Sequence, residues 1–75
     1  MLILDKNLDM PLYMQIYHHL KDKIISGKLS EGSVLPPIRT MAKTLMVARN
    51  TVESAYQPLC SEGYVQSKVG SGYKV

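Results

Sequence analysis

The sequence predicts a mainly α domain closed by a small β-hairpin, and three observations carry that prediction. Two apolar stripes at helical spacing flank a tight turn at Met46-Val47-Ala48: Ile38, Met41, Ala42 and Leu45 before it, Val52, Ala55, Tyr56 and Leu59 after it. A third stripe, Leu12, Ile16, Leu20 and Ile24, lies upstream between Pro11 and Gly27. From Tyr64 onward, polar and apolar residues alternate around Gly70 and Gly72, the pattern of a hairpin and its turn.

The first helix is expected over residues 11–26. Pro11 suits a helix start because its missing N–H would have no partner there. Tyr13 and Tyr17 flank the apolar stripe, Gly27 supplies the stop, and Lys21 and Lys23 sit near the negative end of the helix dipole. His18 and His19 are adjacent, so they point in different directions, and no third ligand is suitably spaced; no metal site is expected. Gly27 to Leu35 reads as a loop, with Val34-Leu35 able to form a very short strand before Pro36-Pro37. Pro37 opens the second helix and places Arg39 in its first turn.

The third helix is expected from about Ala48 to Ser61, ending at Gly63. Its inner face is apolar; its outer face carries Asn50, Glu53, Ser54 and Gln57, with Arg49 at the leading end. Ala42 is small enough for the second and third helices to cross closely, and Val52 fills the crossing. Two local rules are broken. Ala48 stands where a Ser or Thr would cap the helix, a loss of roughly 1 kcal/mol. Pro58 removes the hydrogen bond to residue 54 and is expected to kink or shorten the helix, at about 3 kcal/mol in mid-helix and less near an end. Gly70-Ser71-Gly72 is a hairpin turn rather than a phosphate loop, since no helix follows it and no Walker lysine is present. Three helices and a hairpin make the winged helix-turn-helix plan, with residues 1–10 as an N-terminal arm and 11–75 as the domain.

Size and composition agree. At 75 residues the chain forms one small domain near the lower limit for a metal-free, disulfide-free core. With 45% apolar residues and neither Trp nor Phe, that core must be built from Leu, Ile, Val, Met and Tyr. The four tyrosines at 13, 17, 56 and 64 coincide with apolar stripes and read as core packing, not as base-stacking platforms. The single cysteine, Cys60, excludes an intramolecular disulfide, fits a cytoplasmic location, and reads as an inert small residue. No run approaches the roughly 18 apolar residues of a membrane span. MLILDKNLDM, acidic at position 5, does not read as a secretory signal. The net charge of +3 is modest, but Pro36 to Val52 holds Arg39, Lys43 and Arg49 and no acid. That basic segment suits a polyanion; alone, the same charges would equally form a solvated helical face.

The motifs PLYxQIY from Pro11, SGKLxxG from Ser26, LPPxR from Leu35, RNTV from Arg49, AYxxL from Ala55, EGY from Glu62 and GSGY from Gly70 occur in order. Together they resemble the GntR family of bacterial transcription regulators across residues 11–75. RNTVxxAY and GSGYxV look most like its MocR-type branch, where the DNA-binding domain is joined to a larger aminotransferase-like domain that binds pyridoxal phosphate.

The resemblance implies sequence-specific binding of double-stranded operator DNA, as the reader domain of a metabolite-responsive bacterial regulator. It implies no enzyme activity and no cofactor within this domain, any pyridoxal phosphate belonging to a further C-terminal domain. It also implies a homodimer for the full-length protein on a two-part operator; the isolated domain is expected as a monomer. Arg39 matches the family arginine opening the second helix. Arg49, Asn50 and Thr51 match the start of the recognition helix, with Arg49 suited to guanine, Asn50 to adenine or phosphate, and Thr51 to a phosphate or capping role. Ser54 follows on the same outer face. Lys68, Gly70 and Ser71 match the wing, where glycine permits close approach, lysine adds charge, and the hydroxyl suits a phosphate.

Three departures stand out. Ala48 replaces the usual hydroxyl residue, Met46 the usual turn glycine, and Glu53 places an acid on the outward face, where it repels a nearby phosphate unless it accepts from cytosine N4. Ala48, Glu53 and Pro58 give weight to a rival reading as a winged-helix protein-interaction module without DNA binding. A second rival makes the domain an appendage of an aminotransferase-type enzyme.

Overall fold

In the computed structural model, which describes residues 2–70 and 72–75, helix α1 spans Leu12–Ile25 with Pro11 as its N-cap. Ile16, Tyr17 and Leu20 are buried, while Leu12 and Ile24 are half-buried at the ends of the stripe. Tyr13 corrects the expectation of core packing: it is exposed, because the stripe fades in the first turn of the helix. At the other end Gly27 takes φ +82°, and the Ser26 and Leu29 amides donate to the carbonyls of Asp22 and Lys23 at 2.9 and 3.0 Å.

Strand β1 (Val34–Leu35) precedes helix α2 (Ile38–Leu45), which Pro37 opens. Helix α2 ends at Met46 with φ 57° and ψ 47°, the single non-glycine positive φ among the described residues. A left-handed backbone costs a side-chain-bearing residue about 1–2 kcal/mol. It is held by the turn it makes: the Val47 amide donates to the Ala42 carbonyl at 3.0 Å. Thus Met46 occupies the position a glycine would take, and the turn keeps its shape.

Helix α3 (Arg49–Ser61) starts at Ala48 without a side-chain cap. The helix ends at Ser61, as its expected bounds have it, and Pro58 does not shorten it. Pro58 lies in the last turn, so only one intrahelical bond is forfeited, and the end is closed by other means. The Glu62 amide donates to the Pro58 carbonyl at 2.9 Å, and the Tyr64 and Val65 amides both donate to the Leu59 carbonyl, at 2.9 and 3.1 Å. Gly63, at φ +85°, makes the reversal.

The core lies where α3 crosses α1 and α2. Val52, Ala55 and Leu59 are fully buried there, and Ala42 allows the close approach of α2. Strands β2 (Gln66–Lys68) and β3 (Gly72–Lys74) form the expected hairpin, and β1 joins it to give an antiparallel sheet in the order β1-β3-β2. Leu35 is paired with Tyr73 on one side of β3, and Ser67 with Tyr73 on the other. Tyr73 stands edge-on to Tyr56, ring centroids 4.9 Å apart. The Tyr56 hydroxyl donates to the Pro36 carbonyl at 2.7 Å.

The segment before α1 is fastened to the domain. Leu2 and Leu4 pack against the core. The Gln15 amide group accepts from the Asp5 N–H at 2.9 Å and donates to the carbonyls of Asp5 and Met10 at 2.8 and 2.9 Å.

Candidate nucleic-acid interface

The period of α3 divides its residues cleanly. Val52, Ala55, Tyr56 and Leu59 point inward, and Arg49, Asn50, Glu53, Ser54 and Gln57 are exposed. Arg39, in the first turn of α2, is also exposed. The close crossing of α2 and α3 gathers Ile38, Arg39, Arg49, Asn50 and Glu53 around one concavity of about 450 Å³. Residues ten apart in sequence thereby bring two guanidiniums and a side-chain amide to the same concavity. Arginine forks of this kind match phosphate oxygens and the acceptor edge of guanine.

The other sequence-predicted residues lie outside that concavity. Thr51 is half-buried on the flank of α3. Its amide donates to the Ala48 carbonyl at 3.1 Å, so the first turn is closed by backbone where a side-chain cap is missing. Ser54 is exposed one turn further along the outer face. Lys68 and Gly70 are exposed on the wing, and Gly70 adopts φ +84°, which favours glycine. Ser71 lies outside the described residues.

One feature was not assigned a role from the sequence, and one expectation gains a location. Glu53, expected on the outward face either to repel a phosphate or to accept from cytosine N4, lines the same concavity as both arginines, as its spacing of four from Arg49 allows. Val69 is fully exposed beside Gly70 at the end of β2, an apolar residue where the hairpin pattern called only for a turn.

Behind the exposed face, the far end of α3 is braced against α1. The Tyr17 hydroxyl donates to the Glu62 carboxylate, and the Lys21 ammonium lies 5.5 Å from the Tyr17 ring centroid and 5.6 Å from that of Tyr64. The Glu62 hydrogen bond pushes the Tyr17 phenol above its ordinary value. Burial likewise raises the Cys60 thiol, the opposite of what a nucleophilic thiolate requires. Among the described residues no polar or charged side chain is buried, no group of three His, Cys, Asp or Glu is placed to hold a metal, and no helix is long and apolar enough to cross a membrane. The face therefore offers positive charge and hydrogen-bond donors in a fixed arrangement.

Residues 12–75 match the family described as bacterial regulatory proteins, gntR family. The chain is 46% identical over 72 residues to the probable rhizopine catabolism regulatory protein MocR of Rhizobium meliloti, a match covering 96% of this chain and 15% of that relative. It is thus about a seventh of the length of such relatives. Among solved structures it is similar to YtrA from Sulfolobus acidocaldarius, a GntR-family transcription factor, with TM-score 0.89 and 35% identity over 96% of this chain and 76% of that one. It is also similar to the AraR DNA-binding domain in complex with operator ORE1, with TM-score 0.82 and 26% identity over 96% of this chain and 88% of that one.

Proposed function

From the premise that this chain belongs to the gntR family and has its winged helix-turn-helix fold, we propose that it reads operator DNA on behalf of a bacterial transcription regulator. One observation carries the reading: the helix crossing puts Arg39 beside Arg49 and Asn50 on an exposed concave face. Arg49 and Asn50, in the first turn of α3, reach base edges in the major groove; Arg39 holds the phosphate backbone and sets the register. Lys68 and the glycine turn of the wing add backbone contacts. That the AraR DNA-binding domain is solved in complex with an operator supports DNA binding by this fold.

Several finer parts of the reading extend beyond this face. The regulator would respond to a metabolite, act in the cytoplasm, and bind a two-part operator as a homodimer in its full-length form. No reaction is assigned to these residues. Nor do they fit pyridoxal phosphate, which needs an enclosed lysine and a partner for its ring nitrogen, whereas no charged side chain is buried among the described residues. That cofactor would belong to a separate domain, as in aminotransferase-fused regulators.

Fluorescence anisotropy with a duplex from upstream of the gene and a scrambled duplex, at two salt concentrations, tests the reading. Tighter binding to the upstream duplex is expected, lost with Arg49→Ala and weakened by salt. Absence of binding to either duplex at low salt would overturn it and favour a protein-interaction module.

A further inference from the structure

The DNA-reading proposal above leaves one residue of its site unexplained, and the inference here rests on that reading. Glu53 is the only carboxylate between Pro36 and Ser61. It is exposed, one turn beyond Arg49, in the concavity that Arg39 and Asn50 share. Facing a polyanion, an acid at that place is repelled by every phosphate it meets. An ion pair with Arg49 is a poor account of it, since the cation precedes the acid by four residues, the weaker order on a helix, and exposed pairs contribute little.

One surface of duplex DNA does favour an acceptor-only group. On the floor of the major groove guanine and thymine present acceptors at O6, N7 and O4, all repelling a carboxylate. Adenine offers its N6 amino group beside the N7 acceptor, which suits an amide better than an acid. Cytosine offers the N4 amino donor without a neighbouring acceptor. We propose that Glu53 is a specificity-determining residue that selects a C·G pair by accepting a hydrogen bond from cytosine N4, close to the guanine that Arg49 reads. Four residues of helix advance about 6 Å and base pairs step about 3.4 Å along each strand, so the two pairs lie within about two steps. Selection works partly by exclusion: guanine and thymine meet the carboxylate with acceptors, adenine sets its N7 acceptor beside the donor, and the site loses affinity.

Selection from a pool of duplexes with a randomised centre, using the 75-residue chain and its Glu53→Gln and Glu53→Ala variants, tests this. Anisotropy on the winning duplex and its single-pair variants then supplies the magnitudes. Wild type is expected to fix a C·G pair within about two steps of a fixed guanine. Glu53→Gln should shift that position toward adenine, and Glu53→Ala should leave it unselected, the other positions holding. Replacing the C·G pair should weaken wild type by roughly ten- to a hundred-fold and Glu53→Ala by less than about two-fold. Two results overturn the inference: the same position fixed by the Ala variant, or a uniform gain in affinity for all duplexes, which would make the acid merely repulsive. A selected motif indifferent to Glu53 removes this inference and leaves DNA reading standing. A wild-type chain that enriches no sequence removes both.

Discussion

The two ends of helix α3 are finished in opposite ways. At its start, Ala48 provides no side-chain cap and the preceding Met46 holds a left-handed backbone while its side chain is 87% exposed. At its end, the Leu59 carbonyl accepts two amides, Gly63 turns the chain without strain, and Tyr17 ties Glu62 to α1. The start surrenders stability and carries Arg49 and Asn50; the end collects stability and carries no predicted DNA contact. On the proposed reading one helix separates anchoring from reading along its length, and the weakly finished end is the one assigned to the ligand.

Substitutions at each end can break or sharpen this contrast. The largest effect is expected from Leu59→Ala, which empties a fully buried position at the anchored end; urea unfolding should show a loss of about 2–5 kcal/mol. Next, between the ends, Tyr56→Phe leaves the Pro36 carbonyl without its 2.7 Å donor and should cost about 1 kcal/mol in the same assay. Both Tyr56, through burial, and Tyr17, through Glu62, have phenols raised above the ordinary 10.0. The unfolded chain therefore releases these protons first. Stability should be fully present below about pH 10 and fall as pH rises beyond it, and Tyr56→Phe should flatten that alkaline decline in a pH series of melting curves. At the open end, Ala48→Ser supplies the absent cap and should stabilise by about 1 kcal/mol, raising Tm by roughly 4–8 °C. The smallest change is Met46→Gly, which relieves the left-handed residue but adds freedom to the unfolded chain, for a net gain of up to about 1 kcal/mol. If the last two substitutions proved neutral while Leu59→Ala stayed costly, the start of α3 would be unstrained and the contrast would lose its energetic half.

How far these features were legible in the sequence follows from where their causes lie. The helices were readable because each carries its own period, and Pro11, Pro37, Gly27 and Gly63 mark ends through local backbone chemistry. The exposure of Tyr13 was not, since it depends on where the core stops relative to a helix end. The third strand was only permitted by Val34-Leu35; pairing with Tyr73 and Lys74, some forty residues away, realised it. The stitching of the first residues by Gln15 has no local signature, because the acceptors it finds are backbone carbonyls. At the interface, residue types identified Arg39 and Arg49 separately. Only the helix crossing placed Arg39 beside Arg49 and Glu53.

Tyr56 has a consequence for the thermodynamics of association. Its backbone belongs to α3, its hydroxyl holds the carbonyl before α2, and its ring seats Tyr73 of β3. Three elements that would face a duplex are therefore set against one another before any duplex arrives. Binding then carries little ordering entropy, and its heat-capacity change should track the surface dehydrated on contact rather than any coupled folding. A head fixed in this way cannot tilt one element to forgive a wrong base, so the stiffness contributed by a single buried phenol becomes fidelity.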